Sequence, residues 1–221
     1  MNRMNAMAKK QSIKVLFIGN SFTQRNDLPQ ALTELAAERG LTIQTELISA
    51  GGASLRTHWN AGGAARSIAA GGYDFVVLQE QSTLPVKNAL RMAENVRLFD
   101  AAIKEAGSKT VLYMTWARQH APDSQEAITE AYRSIGAELK AVVVPVGLAW
   151  QSFRSKYEEP ELYDRDQIHP TVAGSYLAAC VFLAVLFGQN PVGIEAGPVE
   201  LSQEDKLALQ RAAWKQASRR K

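Results

Sequence analysis

Two short segments near opposite ends of the chain carry side chains that could act together on a carbonyl carbon. The first, residues 19–23, places Ser21 directly after a short apolar run. The second, residues 166–170, places Asp166 three positions before His169. A serine hydroxyl becomes a good nucleophile when a base takes its proton, and an imidazole is an effective base when a third group orients it. The sequence therefore contains candidates for a nucleophile, a base and an orienting carboxylate.

The base and the carboxylate each have competitors in the sequence. His58 lies in a glycine-rich segment and His120 in a polar loop, and neither has a carboxylate at a matching spacing. His169 is therefore the predicted base. Asp164 lies close to Asp166, so spacing to the histidine alone leaves both carboxylates open.

Composition argues against several other functions. The 221 residues include 25 Lys and Arg and 22 Asp and Glu, a net charge of +3, and no interior basic stripe is interleaved with aromatic residues, so no nucleic-acid partner is expected. The single cysteine, Cys180, lies in an apolar stretch and is predicted to be buried. No Cys/His cluster suggests zinc, and no glycine-rich motif fits a phosphate or dinucleotide, so neither a metal nor a cofactor is expected.

The length favours one domain over residues 12–221. Residues 1–11 are polar and rich in methionine, and they are expected to form a disordered extension. These first residues contain no apolar core of a signal peptide, so the default location is cytoplasmic, with a secreted origin left open. The longest apolar stretch, 176–187, is too short to span a bilayer, and no membrane partner is expected.

Strand and helix patterns alternate along the chain. Apolar runs predict five strands, at 15–18, 41–48, 75–78, 110–115 and 141–146. Helical spacing and capping residues predict helices at 28–39, 54–70 (weakly), 88–106, 125–139, 171–187 and 202–217. This alternation predicts an α/β fold with a five-stranded, mostly parallel sheet and helices on both faces.

In such sheets, ligands bind beyond the carboxyl ends of the strands. Ser21 follows the first predicted strand, Gly51 and Gly52 follow the second, and the polar turn 79–82 follows the third. The segment with Trp116 follows the fourth strand. The sequence therefore predicts that these residues meet at one edge of the sheet.

Together these features resemble the SGNH (GDSL-like) hydrolase superfamily over about residues 15–187. The resemblance rests on Gly-Asn-Ser-Phe after the first strand, a glycine after the second, a polar turn after the third and Asp-x-x-His before the last core helix. It implies a three-layer α/β/α, flavodoxin-like fold and ester hydrolysis through an acyl-enzyme on Ser21. It also selects Asp166 over Asp164, which is then expected to be a solvated loop charge.

The same resemblance implies an oxyanion hole, a set of N–H donors for the negatively charged oxygen of the intermediate. The backbone N–H groups of Ser21 and Gly52 would supply two donors, with Gly51 as the alternative to Gly52. The superfamily usually supplies a third from a Gly-x-Asn-Asp turn, but this chain has Gln-Glu-Gln-Ser there, as in a less-studied branch. Gln81 takes the place of the asparagine, and Gln79 is the alternative.

Three further residues are candidates for the substrate pocket. Asn20 is expected to fix the turn through its side chain rather than to contact substrate. Trp116 and Arg118 are expected to line the pocket wall, although packing in the core is an equal alternative for Trp116. Glu80 is expected to point away from the oxyanion, towards an arginine such as Arg118.

The function predicted from the sequence is that of a serine esterase for short-chain esters, acetyl esters above all. The expected substrate is a small-molecule ester, with carbohydrate esters included. An acyltransferase or thioesterase with the same triad remains open, and so does a binding module that keeps the fold without turnover. The sequence leaves the oligomeric state undefined.

Overall fold

In the computed structural model, which describes residues 12–219, five strands form one parallel sheet. The strands are β1 Ile13–Gly19, β2 Ile43–Ser49, β3 Phe75–Leu78, β4 Lys109–Tyr113 and β5 Val142–Val144. Their order is β2-β1-β3-β4-β5, that of flavodoxin-like sheets. The predicted α/β fold is therefore confirmed, whereas the extension expected at residues 1–11 lies outside the described residues.

Ten α-helices flank this sheet within residues 12–219. They are α1 Ser21–Gln24, α2 Leu28–Glu38, α3 Leu55–Ala61, α4 Gly63–Ala70, α5 Leu84–Lys87, α6 Ala89–Glu105, α7 Ser124–Leu139, α8 Val146–Arg154, α9 Val172–Phe187 and α10 Gln203–Ser218. The sequence patterns missed α1, α5 and α8. The single helix predicted at 54–70 is wrong: Gly62, with φ of +73°, divides it into α3 and α4.

The two faces of the sheet carry separate apolar cores. Successive side chains of a strand point to opposite faces, so β1 sends Val15 and Phe17 to one face and Leu16 and Ile18 to the other. Helices α2, α8, α9 and α10 cover the first face, and α3, α4, α6 and α7 cover the second. Four apolar residues in a row are therefore all buried, as expected for a central parallel strand.

Helix α9 is apolar around almost its whole circumference because it is covered on all sides. It packs on α2, α8 and α10, and Cys180 within it is fully buried and unpaired, as predicted. Within residues 12–219, no helix combines the length and the hydropathy needed to cross a membrane. Thr171 caps the start of α9 by accepting a hydrogen bond from the N–H of Gly174, and this fixes the helix directly after His169.

Replacement of Gly174 by alanine should destabilise the protein. A Cβ at this position would lie 2.4 Å from Cη2 of Trp150 and 2.6 Å from the carbonyl oxygen of Leu162. We expect Gly174→Ala to lower the free energy of unfolding by about 1–3 kcal/mol, measured by urea denaturation. Gly63→Ala is the matched control, because its Cβ would meet only Arg66, at 4.0 Å. Equal effects of the two substitutions would contradict the proposed crowding.

Candidate active site

Ser21 is the first residue of α1, in a turn that is held by Asn20. Asn20 has an extended backbone and caps the helix, with its Oδ1 accepting from the N–H of Phe22 at 3.1 Å. Its Nδ2 donates to the carbonyl of Ala53 at 3.0 Å, and only 3% of the residue is exposed. Asn20 therefore joins the serine turn to the loop after β2, and its buried amide is closed to substrate.

The structure brings Ser21, His169 and Asp166 into one hydrogen-bonded series. The Oγ of Ser21 lies 2.8 Å from Nε2 of His169, and Nδ1 of the same ring lies 2.5 Å from Oδ2 of Asp166. The histidine side chain is 22% exposed, so the imidazole is accessible while it is held from both sides. This arrangement can move a proton from the hydroxyl to the ring.

The carboxylate of Asp166 is fixed by the backbone of its own loop. Its Oδ1 accepts from the N–H groups of Ile168 at 3.0 Å and His169 at 2.9 Å, in a turn where Gln167 has a φ of +62°. Burial alone would raise the pKa of Asp166, but these N–H groups and the His169 ring outweigh it and lower the pKa well below its usual range. Asp166 therefore stays ionised beside the imidazole.

Asp164 is a loop charge with 46% of its side chain exposed, as expected, and it also has a partner that the sequence did not predict. Its Oδ2 accepts from Nη1 of Arg25 at 2.6 Å, and Nη2 of Arg25 lies 3.9 Å from Asp166. Because Arg25 directly follows α1, this ion pair links the serine helix to the histidine loop. Sequence reasoning missed Arg25, since 139 positions separate it from Asp164 and no local pattern joins them.

Two backbone N–H groups near Ser21 are available to bind an anionic oxygen. Neither the N–H of Ser21 nor that of Gly52 makes a hydrogen bond within the described part of the chain. Gly52 has a φ of +65°, which favours glycine, and open space surrounds both Gly52 and Gly51. The N–H of Gly52, one of the predicted donors, is therefore without a partner among the described residues, and its role at an oxyanion stays a prediction.

The two glutamines after β3 have different environments. Gln79 is buried, and its Oε1 accepts from the N–H of Asn20 at 2.8 Å and the hydroxyl of Thr23 at 3.0 Å. Its Nε2 donates one of its two hydrogens to the carbonyl of Glu80, and with 1% of the residue exposed the amide is enclosed. Gln81 uses only Oε1, which accepts from Thr83, and among the described residues its Nε2 has no partner. Of the two glutamines, Gln81 is therefore the one whose side-chain NH₂ has no partner among the described residues.

The expected approach of Glu80 to Arg118 is wrong. Glu80 is 1% exposed, with Oε1 accepting from the N–H groups of Leu55 at 3.0 Å and Gln81 at 2.7 Å. Its Oε2 accepts from Nδ2 of Asn95 at 2.8 Å. Burial raises the pKa of Glu80, and these hydrogen bonds oppose that rise. Two backbone N–H groups and one side-chain amide thus satisfy the carboxylate, and no sequence pattern marks Leu55 or Asn95 as its partners.

Trp116 belongs to the core and presents no indole face to solvent. It is 1% exposed, and its ring is stacked between Phe22, at 4.9 Å between centroids, and Trp150, at 3.8 Å. Its Nε1 donates to the carbonyl next to His169, and Phe22 contacts the His169 ring edge-on. The packing alternative thus describes Trp116. Arg118 is half-buried, and its Nε is enclosed without a hydrogen-bond partner in the described residues.

A wide basic cleft of about 890 Å³ lies apart from these residues, among α7, α8 and α10. Its charged lining consists of Arg133, Lys156, Lys215 and Arg219, and it includes no residue of the serine, histidine and aspartate series. Three helices end near it, and cations are favoured at helix C-termini.

Within residues 12–219, no group of three or more His, Cys, Asp or Glu side chains could hold a metal ion.

The lowered pKa of Asp166 makes its contribution to stability depend on pH. In the unfolded chain an aspartate titrates near pH 3.9, roughly, so the stabilisation is complete above that value and is lost as pH falls through the lower folded pKa. We expect the loss of stability caused by Asp166→Asn to be larger at pH 6 than at pH 2.5, as measured by urea denaturation. A cost that stays equal at the two pH values would contradict this prediction.

Comparison with known proteins gives matches at the level of structure. No protein-family model and no curated protein matches the sequence. A DUF4886 family protein from Bacteroides uniformis has a TM-score of 0.79 and 22% identity, covering 93% of this chain and 94% of that chain. A proposed SGNH hydrolase from Slackia heliotrinireducens has a TM-score of 0.69 and 29% identity, and the match covers 80% of this chain and 100% of that chain. An acetyl xylan esterase variant from Geobacillus stearothermophilus has a TM-score of 0.59 and 16% identity, and the match covers 79% of this chain and 94% of that chain.

The Bacteroides and Geobacillus proteins share the fold with this chain. The Slackia protein has a higher sequence identity to this chain than those two, and its whole length is matched. The solved structures of similar fold include further lipolytic proteins, among them a lipase/acylhydrolase from Enterococcus faecalis and a member of the G-D-S-L family from Veillonella parvula. The structure therefore confirms the resemblance of this chain to the SGNH (GDSL-like) hydrolase superfamily.

Proposed function

We propose that this chain is a serine hydrolase of short-chain carboxylic esters, acetyl esters above all. The observation that carries the proposal is the hydrogen-bonded series from Ser21 Oγ through the two ring nitrogens of His169 to Asp166. A serine, an imidazole and a buried or hydrogen-bonded carboxylate in this order form the catalytic unit of many unrelated hydrolases. The likeness to SGNH hydrolases adds independent support.

Acylation starts at the bond between Ser21 and His169. Nε2 of His169 takes the hydroxyl proton as Oγ of Ser21 forms a bond to the ester carbonyl carbon, and the carbonyl π electrons move to its oxygen. The imidazolium is stabilised by Asp166 on the other ring nitrogen. When the tetrahedral intermediate collapses, the bond to the alcohol oxygen breaks and His169 returns the proton to that oxygen. Water then attacks the acyl-Ser21 in the same way and releases the acid.

The negative oxygen of each intermediate needs fixed donors. We assign this role to the N–H groups of Ser21 and Gly52 and to Nε2 of Gln81, all free of other hydrogen bonds among the described residues. Removal of one oxyanion donor lowers kcat by about 10²–10³-fold in a well-studied protease. The donors act because they are already in place when charge develops on the oxygen.

The preference for a short acyl group rests on the aromatic stack beside His169. Phe22, Trp116 and Trp150 occupy the apolar space on that side of the imidazole, and each is at most 3% exposed. A long acyl chain would have to displace these rings. An acetyl xylan esterase among the structures of this fold agrees with an acetyl ester. A sugar stacked on Trp116 has no support, because that indole is enclosed.

Substitution of the nucleophile tests the proposal directly. We expect Ser21→Ala to lower kcat for p-nitrophenyl acetate by at least about 10³-fold and to abolish labelling by a fluorophosphonate probe. Ser134→Ala, at an exposed position of α7, is the matched control and should keep both properties. Equally low turnover by the native protein and Ser21→Ala would refute the assignment and favour a binding module.

The acyl preference has its own test. Among p-nitrophenyl acetate, butyrate and octanoate, we expect acetate to have the highest kcat/KM and octanoate the lowest, because the aromatic stack leaves little apolar space. Phe22→Ala should narrow this difference by opening space beside His169. A native protein that hydrolyses octanoate fastest would contradict the short-acyl proposal, while leaving the role of Ser21 intact.

A further inference from the structure

Glu80 is a buried carboxylate that the proposed mechanism does not use. It lies in the unusual Gln-Glu-Gln-Ser turn after β3 and is 1% exposed. An ionised carboxylate in the interior is costly unless hydrogen bonds satisfy it. A charge so close to a site for anionic intermediates also opposes their formation. Its presence therefore needs a structural reason.

The contacts of Glu80 supply that reason. One oxygen, Oε1, accepts from the N–H of Leu55, in the first turn of α3, and from the N–H of Gln81 in its own turn. The first bond holds the loop after β2, and the second holds the turn after β3. A single oxygen atom therefore joins the two segments that carry the donors assigned to Gly52 and Gln81.

The same loop after β2 is anchored at a second point. The carbonyl of Ala53 accepts from Nδ2 of Asn20, which caps the serine helix, and Leu55 is bonded to Glu80 only two residues later. Gly52 directly precedes these anchors and has no Cβ to pack. The position of its N–H relative to Ser21 and Gln81 is thus set by its neighbours.

We propose that Glu80 is a positioning residue that holds the Gly52 and Gln81 donors in register with Ser21 by clamping the two loops through one carboxylate oxygen. This inference rests on the proposed function for its catalytic meaning. The clamp itself concerns only how the backbones of the two loops are held together. Glu80 touches neither the substrate nor the reacting atoms in this proposal.

The second oxygen of Glu80 keeps the clamp aligned. Oε2 accepts from Nδ2 of Asn95 on α6, and Oδ1 of Asn95 accepts from Nε of Arg56 at 3.0 Å. The carboxylate thus receives three hydrogen bonds, which compensate its charge in the interior. Asn95 also fixes which oxygen of Glu80 faces the two backbone N–H groups.

This geometry allows a test with a built-in rescue. Glu80→Leu removes both clamp bonds. Glu80→Gln keeps an acceptor for the two backbone N–H groups but places an amide NH₂ against the NH₂ of Asn95. The double substitution Glu80→Gln with Asn95→Asp reverses that pair, so that the new amide donates and the new carboxylate accepts. Glu130→Gln, at an exposed position of α7, is the control.

With p-nitrophenyl acetate, we expect Glu80→Leu to lower kcat by about 10²-fold with KM within about 2-fold of native, as for donors moved by about 1 Å. The kcat of Glu80→Gln should lie between that of the native protein and that of Glu80→Leu. The double variant should return to within about 5-fold of the native kcat. Each kcat is divided by the folded fraction of the variant, because a loss of folded protein lowers the apparent kcat and leaves KM unchanged. Native kcat in folded Glu80→Leu would overturn the proposal.

Hydrogen exchange separates this inference from the proposed function. We expect Glu80→Leu to speed amide exchange at Leu55 and Gln81 by at least about 10-fold, with no change in the β1 amides, and the double variant to restore protection. If the native protein has no Ser21-dependent turnover, the esterase proposal fails while exchange still decides the clamp. If Glu80→Leu is too unstable to study, exchange in the double variant decides it. That variant keeps the acceptor and its aligned partner, so exchange at Leu55 and Gln81 at least about 10-fold faster than in the native protein would overturn the clamp.

Discussion

The structure around Ser21 depends on how backbone groups are satisfied at the carboxyl edge of a buried parallel sheet. Inside the sheet each N–H and C=O has a ladder partner, but at this edge the strands stop while the surroundings stay dry. A buried group without a partner costs about 1–3 kcal/mol. Side chains supply the missing partners in four hydrogen bonds. These join Gln79 to the N–H of Asn20, His58 to the C=O of Gly19, Glu80 to the N–H of Leu55, and Gln125 to the N–H of Ala117.

These side chains give the site its rigidity before any substrate is considered. The loop after β2, the turn after β3 and the serine turn are joined to one another by hydrogen bonds of buried amides and a carboxylate, so a movement of one would break bonds to the others. On the other side, the ion pair of Arg25 with Asp164 ties the serine helix to the histidine loop. The bonds that satisfy the backbone at the edge of the sheet therefore also hold the N–H groups and the imidazole to which the proposed function assigns a role. Electrostatic stabilisation of a transition state requires donors that are fixed in this way.

Local patterns in the sequence were enough to predict the sheet, most of its helices and the approach of the Asp-x-x-His segment to Ser21. Apolar runs are long enough to mark buried strands, and an Asp-x-x-His spacing fits one short loop. The rest depends on distant partners. Glu80 is satisfied by the backbone of Leu55, which bears no trace in the sequence, and Arg25 finds Asp164 across 139 positions. Trp116 lies inside because two other rings enclose it, and its residue type alone is compatible with either a pocket wall or a core.

The hydrogen bond between Ser21 and His169 spans 148 positions of the chain, and this separation has a consequence for synthesis. At about 5–20 residues per second, translation needs roughly 7–30 s to pass from one residue to the other. Throughout that interval the nascent chain carries the hydroxyl without its base. Loop closure over such a distance also delays this contact relative to local ones. Under the proposed function, a polypeptide still being made therefore has no activated serine until the segment with His169 has been added and folded.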